Sequence, residues 1–314
     1  MGADADTLEE FLAALHRRDA RGATAVVDRL LAADASPEMV LLDLLVLAQL
    51  EVGRRWQANR WSVADEHACT AIVDRLLARL ALTFDPVIGA GEVVVVCAEG
   101  DWHVLPPRMF AELLRLHGWS VTFLGSVPAE HLARFLADNR PVAVALSCAV
   151  PLFLPGAVRS IAAAHDVGVP VLAGGRAFGH SSRRAVTVGA DAWAGDASSA
   201  AGVFTEWLRA APQLAQPDVD LGTWQQLELV RPSLVSESLR RLSETVPASA
   251  AFDARQLAPT REDFNYIVEF VGVSVLVRDP DLLMESLAWL DEVLQARGLP
   301  PSVLVDGLRL VGDR

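Results

Sequence analysis

The sequence contains no lysine, so every basic side chain is an arginine or a histidine. Its formal net charge is −13 at pH 7, and the arginines are scattered along the chain rather than gathered in one segment. An acidic surface of this kind repels the phosphate backbone of nucleic acids. The charge balance therefore argues against nucleic acid as a direct partner.

Cysteine is also scarce: the three residues Cys69, Cys97 and Cys148 are widely spaced and set in apolar stretches. An odd number of isolated cysteines is more typical of buried free thiols than of a disulfide framework or a zinc site. The sequence has neither a signal peptide at its acidic, polar start nor a run of about 18 uncharged apolar residues. We therefore expect a cytoplasmic protein with no membrane partner.

Apolar residues are abundant, at 52% of a chain of 314 residues, which allows well-filled cores in two or three domains. Residues 1–86 carry apolar side chains at helical spacing, and Ser36 and Ser62 have the character of helix N-caps. The segments between the expected helices are short. The first domain is therefore predicted to be a bundle of four helices.

Residues 87–211 change to an alternation of short apolar strands with amphipathic helices. The expected strands are Val93–Val96, Ser120–Leu124, Val142–Ser147, Pro170–Ala173 and Ala192–Ala194. Strands that each lead into a helix are typical of a parallel sheet covered on both faces. We therefore predict a flavodoxin-like, doubly wound α/β domain.

Residues 212–314 begin with a linker, Pro212–Asp218, and then return to helical periodicity. Helices are predicted over Trp224–Val230, Ser233–Val246, Arg261–Val277, Leu282–Arg297 and Ser302–Val311. Gly298 followed by Pro300 is a stop signal for the helix that carries Trp289. The expected fold class is therefore α/β plus all-α, with a helical third domain.

An Asp-x-His motif, formed by Asp101, Trp102 and His103, follows the first strand of the predicted sheet. Ligands of doubly wound sheets bind beyond the carboxyl ends of the strands, so His103 stands where a ligand is expected. Asp101 can accept the proton of one imidazole nitrogen and leave the other nitrogen free to coordinate a metal. The alternative is a loop histidine that makes an ordinary hydrogen bond.

Two further features end the third and fourth strands: Ser147, and the pair Gly174 and Gly175. The hydroxyl can hydrogen-bond a buried polar ligand, and the glycines let the backbone approach a flat group closely. Together with the Asp-x-His motif, this set resembles the pattern Asp-x-His-x-x-Gly, Ser-x-Leu and Gly-Gly. That pattern belongs to the cobalamin-binding domain shared by methionine synthase and corrinoid proteins.

The resemblance implies that His103 replaces the dimethylbenzimidazole of cobalamin as the lower cobalt ligand, with Asp101 as its hydrogen-bond partner. It also implies that the displaced nucleotide tail is buried beside the strands, next to Ser147 and the two glycines. Two positions depart from the family pattern: Pro106 stands where the family has glycine, and Ala149 stands where it has leucine. The first departure affects how closely the following helix approaches the tail, although proline is well tolerated at a helix start. The second shrinks one wall of the pocket.

The predicted bundle contains Trp56, then nine residues, then Glu66 and His67. This spacing resembles the signature of the CarH-type cobalamin photoreceptors, in which a four-helix bundle lies over the upper face of adenosylcobalamin. The resemblance implies that Trp56 covers the adenosyl group and that Glu66 and His67 help to hold the upper side. The alternative is that Trp56 belongs to the apolar core of the bundle.

Two departures limit this second resemblance. The photoreceptors of this type carry an N-terminal helix-turn-helix domain, whereas here the expected bundle begins almost at Met1. They also carry a histidine that captures cobalt after photolysis, at the position of Gln57. Direct control of DNA and a simple bis-histidine photoproduct are therefore not expected.

The C-terminal helices resemble a segment attached to various bacterial sensory proteins. A cobalamin domain with such an extension resembles the photocobilins, which hold a bilin such as biliverdin close to cobalamin. The resemblance implies a bilin that is non-covalent or attached elsewhere, because the extension has no cysteine. Arg255 and Arg261 would meet its propionates, and Tyr266 or Trp289 would stack on a pyrrole ring. The alternative is an interaction domain in which these are surface charges and core aromatics.

The predicted function is light sensing rather than catalysis. Adenosylcobalamin would be held base-off, light would cleave its cobalt–carbon bond, and the bundle would shift relative to the α/β domain. We expect a homo-oligomeric interface or the C-terminal domain to respond to that shift; the sequence does not identify the signalling partner. Two alternatives stay open, a corrinoid protein that carries methyl groups between methyltransferases and a cofactor-free signalling scaffold.

Overall fold

The computed structural model describes residues 4–84, 89, 91–245, 254–298, 304, 308 and 309. The chain forms an N-terminal set of helices, a central parallel sheet with helices on both faces, and a C-terminal set of helices. This architecture confirms the predicted fold class, α/β plus all-α. Within the described ranges, every helix is too short or too polar to span a lipid bilayer.

The N-terminal helices follow the predicted apolar spacing, with one irregular segment. Their bounds are α1 Ala5–His16, α2 Ala20–Ala32, α3 Pro37–Met39, a π-helical segment Val40–Val46 that continues into α4 Leu47–Gln57, and α5 Val63–Ala81. Ser36 and Ser62 cap α3 and α5 through their side chains, as their sequence context predicts. The cap of α5 is reciprocal, because Asp65 accepts from the backbone N–H of Ser62 at 3.1 Å.

The central domain is a parallel sheet in the order β2-β1-β3-β4-β5, the flavodoxin-like order that the sequence predicts. Its strands are β1 Glu92–Cys97, β2 Ser120–Ser126, β3 Ala143–Ser147, β4 Val171–Gly174 and β5 Ala192–Trp193. Its helices are α6 Leu105–Leu116, α7 Ala129–Asn139, α8 Leu154–His165, α9 Arg183–Thr187 and α10 Ala197–Arg209. The order reverses between β1 and β3, so the loops after these two strands border the crevice where ligands of such sheets bind.

Alternate residues of β1 face opposite layers of this domain. Val93 and Val95 pack with α6 and α10, whereas Val94 and Val96 pack with α7 and α8. All four side chains are fully buried, which is why a continuous valine run marks this strand. On its other side, α6 contributes Leu105 and neighbouring apolar residues to the core of the N-terminal bundle. The bundle is therefore anchored on the helix that follows the Asp-x-His loop.

The three cysteines are buried and unpaired, which confirms the prediction of free thiols. Burial raises the pKa of the Cys97 thiol to about 12 and that of the Cys69 thiol to about 11. Cys148 is shifted in the same direction by complete burial, and its pKa lies well above the ordinary thiol value. All three thiols therefore stay protonated near neutral pH and are poor nucleophiles.

The C-terminal helices are α11 Leu221–Thr245, α12 Ala254–Leu276 and α13 Pro280–Ala296. The prediction of two separate helices, Trp224–Val230 and Ser233–Val246, is wrong, because α11 runs through Pro232 without a break. A proline inside a helix removes one backbone hydrogen bond, but the packing of α11 against α12 and α13 holds both halves in line. The helix predicted over 302–311 lies outside the described residues except at three positions.

A buried ion-pair network joins the C-terminal helices to the α/β domain. Arg184 of α9 donates to Asp279 at 2.7 Å and to Glu285 at 2.8 Å, and its side chain is 6% exposed. Val273 and Leu276 of α12 belong to the same apolar core as the α8 face of the sheet. The C-terminal helices are therefore packed against the α/β domain and not attached to it by the linker alone.

Candidate functional site

The Asp101 carboxylate holds the His103 imidazole at the carboxyl end of β1. One oxygen, Oδ1, accepts from the imidazole Nδ1 at 2.7 Å and from the His103 backbone N–H at 3.0 Å. The other oxygen accepts from the backbone N–H of Ala149 at 2.7 Å, in the loop after β3. Since the carboxylate acts as the acceptor throughout, the ring proton belongs on Nδ1, and Nε2 keeps its lone pair for a metal.

Two aromatic rings define the orientation of this imidazole. Trp102 stacks on it with ring centroids 3.9 Å apart, and Phe153 approaches with its centroid at 6.1 Å and the planes inclined at 61°. The His103 side chain remains 31% exposed, whereas Asp101 is almost completely buried. Sequence reasoning missed Phe153; its one signal is its position shortly after the end of β3.

The predicted tail-side residues lie in one row along the strand ends. Ser147 pairs with Cys97 on one side and with Gly174 on the other. Gly175 has φ of +101°, and a side chain there would place its Cβ 2.4 Å from the carbonyl oxygen of Cys148. The glycine is thus required by the close approach of the β3 and β4 loops. The lack of side chains at Gly174 and Gly175 suits the close approach of a flat group beside the strands.

The start of α5 brings the bundle motif to the same loop. Glu66 Oε2 lies 2.6 Å from Nδ1 of His67, and the His67 ring meets Trp102 edge-on with a centroid distance of 6.3 Å. The structure therefore brings five residues of the sequence-predicted site together where the start of α5 meets the β1 loop, a region called the crevice below. They are Glu66, His67, Asp101, Trp102 and His103.

Trp56 is the predicted site residue whose surroundings differ most from the expectation. Its ring lies 6.4 Å from that of Trp289 on α13, and the Arg297 guanidinium lies 5.5 Å from its centroid. Its neighbour Gln57 donates to Glu292 of α13 at 2.7 Å. Among the described residues, the aromatic and cation–π contacts of Trp56 are thus made with the C-terminal helices. Its role over the adenosyl group stays a prediction.

The residues predicted to hold a bilin do not form a basic pocket in the described part of α12. Arg261 is exposed, and the Tyr266 hydroxyl donates to Glu262 at 3.4 Å. Burial and the nearby Glu262 carboxylate raise the pKa of Tyr266. The Arg255 side chain lies outside the described residues. Carboxylates beside Tyr266 would repel bilin propionates, so the bilin remains a prediction from resemblance alone.

The chemistry of the grouped residues fits a cobalt corrinoid. A neutral imidazole with a free nitrogen is a good ligand for transition metals, and its carboxylate partner fixes the tautomer that such a ligand needs. Apolar side chains are exposed in both segments, at Trp102 (62%) in the β1 loop and at Val63 (54%) at the start of α5. Exposed apolar side chains of this kind are typical of surfaces that bind a ligand.

Comparison with known proteins agrees with this site. Residues 7–81 match a family model described as a B12 binding domain, and residues 91–204 match a second model with the same description. Over 140 residues the chain is 34% identical to the HTH-type transcriptional repressor CarH of Myxococcus xanthus. That match covers 44% of this chain and 46% of the relative, so it spans about half the length of the relative.

A solved structure shows the same fold. It is the monomethylamine corrinoid protein of Methanosarcina barkeri, with a TM-score of 0.56 and 21% sequence identity. The similarity covers 65% of this chain and 99% of that one. The two B12-binding segments and the fold together establish a cobalamin-binding module made of the N-terminal helices and the α/β domain.

Proposed function

We propose that this cobalamin-binding chain is a light sensor that holds adenosylcobalamin base-off, with His103 as the lower cobalt ligand. The observation that carries the proposal is the carboxylate-oriented imidazole of His103, in a loop whose Trp102 ring meets His67 of α5. The identity to CarH, 34% over 140 residues, supports the adenosyl form and the light response.

In this proposal, the residues of the β1 loop prepare the lower ligand before the cofactor arrives. Asp101 holds the proton on Nδ1 of His103 and increases the electron-donating power of Nε2. Trp102 and Phe153 limit rotation of the ring. When bound, adenosylcobalamin supplies a cobalt–carbon bond that light can break.

On the upper side, α5 supplies the polar wall, and α4 transmits the response. The α5 wall would pack against an adenosyl group while the cofactor is bound, and it would lose that contact if the group left, which would let the bundle move relative to the β1 loop. The contacts of Trp56 with Trp289 and of Gln57 with Glu292 connect the end of α4 to α13. These contacts favour the C-terminal helices as the part that responds; a homo-oligomeric response stays a prediction.

A corrinoid methyl carrier is the second candidate function. The fold similarity to the monomethylamine corrinoid protein favours it, because that similarity covers 99% of the smaller chain. Both functions use a cobalamin with a protein histidine below it, and they differ in the group carried above it. A cofactor-free scaffold would need neither the cobalamin nor the histidine ligand.

Absorption spectroscopy of protein supplied with adenosylcobalamin in the dark tests the proposal. The wild type should retain corrin bands, and light should change them. His103→Ala should bind more weakly and lose the histidine-ligated spectrum, whereas His131→Ala, at an exposed position of α7, should match the wild type. Corrin bands that methyl donors alter and light does not would favour the methyl carrier. If the protein retained no corrinoid, the cofactor-free scaffold would be the remaining candidate function.

A further inference from the structure

A directional chain of hydrogen bonds leads from the bundle to the upper side of the crevice. The Gln49 amide donates from Nε2 to the Thr70 hydroxyl at 2.7 Å, and Thr70 donates to Glu66 Oε1 at 2.9 Å. A carboxylate accepts hydrogen bonds and does not donate them, so the Thr70 hydroxyl donates its one proton to Glu66. The Thr70 oxygen therefore accepts the hydrogen bond from Gln49. The chain therefore fixes the orientation of the Gln49 amide, with Nε2 towards Thr70.

The oxygen of the same amide lacks a partner. Gln49 Oε1 is buried and accepts no hydrogen bond within the described structure. Buried acceptors in proteins are almost always paired, by protein, water or ligand. Rotation of the amide cannot repair this one, because it would turn the oxygen towards Thr70 and break the link to Glu66.

Gln49 is connected to the candidate site through Thr70 and Glu66, and it lies on a helix face beside open space. Gln49, Gly53 and Trp56 follow one another at helical spacing and therefore share a face of α4. A side chain at Gly53 would meet nothing within 4 Å, so open space adjoins this face. The other end of the hydrogen-bond chain, Glu66, contacts His67, whose ring touches Trp102 of the β1 loop.

We propose that Gln49 is a specificity-determining residue for the upper ligand of the corrinoid. Its Oε1 accepts a hydrogen bond from a hydroxyl or amino group of the nucleoside carried on cobalt. A methyl group in that place has no proton to donate, so Gln49 favours a nucleoside-bearing corrinoid over a methyl-bearing one. Thr70 is a positioning residue, since it holds the amide in the accepting orientation. The inference rests on the proposed function and names the ligand chemistry of that site.

Dissociation constants for adenosylcobalamin and methylcobalamin, measured in the dark, test this assignment. Gln49→Met keeps the length of the side chain and removes the acceptor. We expect about five- to tenfold weaker binding of adenosylcobalamin, the effect of one buried hydrogen bond, with methylcobalamin binding unchanged. Gln225→Met, at an exposed position of α11, is the matched control and should bind both corrinoids like the wild type.

A second variant distinguishes the loss of the Gln49 hydrogen bond from misfolding of the bundle. Thr70→Val removes the donor to Glu66 and frees the Gln49 amide to turn, so it should reduce the preference for adenosylcobalamin in the same direction. Equal losses for both corrinoids, or no loss for either, would overturn the inference. A wild type that binds adenosylcobalamin selectively but does not respond to light would refute light sensing and leave the Gln49 assignment intact. A wild type that binds neither corrinoid would overturn both.

Discussion

Asp101 connects two loops of the candidate site, because both of its carboxylate oxygens accept hydrogen bonds inside the fold. One oxygen serves the ring and backbone of His103, and the other serves the backbone of Ala149. The same carboxylate thus ties the β1 loop to the β3 loop and selects the nitrogen that remains for a metal.

Asp101→Asn tests this role. An amide at this position would turn its NH2 group towards either the Ala149 N–H or the His103 ring proton, and two donors cannot bond each other. We expect cobalamin affinity to fall about 10- to 100-fold, the usual effect of losing the partner of a metal-bound histidine. Absorption titration measures the affinity, with Asp138→Asn on the exposed face of α7 as the matched control. Unchanged affinity would show that the hydrogen bond does not serve metal binding.

Asp263 of α12 gives the protein a dependence of stability on pH. Burial, reinforced by Glu262 and opposed by Arg297, raises the pKa of Asp263 from 3.8 to about 6. The folded protein then binds this proton more tightly than the unfolded chain does. The stabilisation from the neutral carboxyl is therefore fully present below pH 3.8 and is lost as the pH rises through 6.

Asp263→Asn should accordingly stabilise the protein at pH 8, because the amide is neutral at every pH. We expect a gain on the order of 1 to 2 kcal/mol, which disappears near pH 4. Thermal unfolding followed by circular dichroism at the two pH values measures the difference. A variant that is no more stable than the wild type at pH 8 would contradict the assigned shift.

Local spacing explains which site residues could be predicted from the sequence. Asp101 and His103 are two positions apart in one loop, so their hydrogen bond follows from the chain itself. Gln49 and Phe153 lie far from them in the sequence, and their relation to the crevice depends on how the bundle and the β3 loop pack. No periodic or motif signal marks either residue.

At the scale of elements, the contact between α4 and α13 connects the cofactor module to the C-terminal helices. It consists of the Trp56 and Trp289 rings, the Arg297 guanidinium over Trp56, and the hydrogen bond from Gln57 to Glu292. Gln57 is the residue next to Trp56, at the position where the resemblance to the photoreceptors implies a histidine. In this chain that position therefore contacts α13.

Hydrogen exchange of α13 tests whether this contact carries the signal. In the loaded wild type, light should change exchange in α13, because the end of α4 moves with the bundle. Trp289→Ala removes the ring that faces Trp56 and should make exchange in α13 insensitive to light while binding of cobalamin persists. Met284→Ala, on the same helix but 65% exposed, is the control and should respond like the wild type. An unaltered light response in Trp289→Ala would exclude this route.

The elements also show where periodicity predicts well and where it fails. The buried valine run predicts β1 because a strand covered on both faces needs apolar side chains on both. Pro232 misleads, since a proline predicts a break that the tertiary packing of α11 prevents. The energy of that packing comes from α12 and α13, which lie later in the sequence and carry no local sign of the contact.

At the scale of the whole molecule, Arg184 joins the α/β domain to the C-terminal helices. Arg184→Ala would remove the 2.7 Å contact to Asp279, whose side chain is 4% exposed, and leave that carboxylate with the longer contact to Arg183 at 3.4 Å. Removing one member of a buried ion pair costs about 3 to 5 kcal/mol. We expect the C-terminal helices to become sensitive to limited proteolysis, with little change for Arg134→Ala, at an exposed position of α7. Equal resistance of both variants would contradict this role for Arg184.

The order of the three parts could be predicted from the sequence, but their mutual arrangement could not. Changes of hydrophobic period mark where helices give way to the sheet and return after it. The closure of α5 over the β1 loop and the docking of α13 on Trp56 depend on the shapes of side chains from distant segments. Such surfaces have no repeating pattern along the chain.

The central claim is that His103 binds the cobalt of a light-cleavable adenosylcobalamin. Electron paramagnetic resonance of the loaded protein, illuminated without oxygen, tests it directly when the histidines carry nitrogen-15. The account predicts a cobalt(II) signal that appears only after light. Its nitrogen splitting should be a doublet in the labelled protein and a triplet in the unlabelled one, and His103→Ala should lose this label dependence. No signal after light, or a triplet that labelling leaves unchanged, would contradict the account.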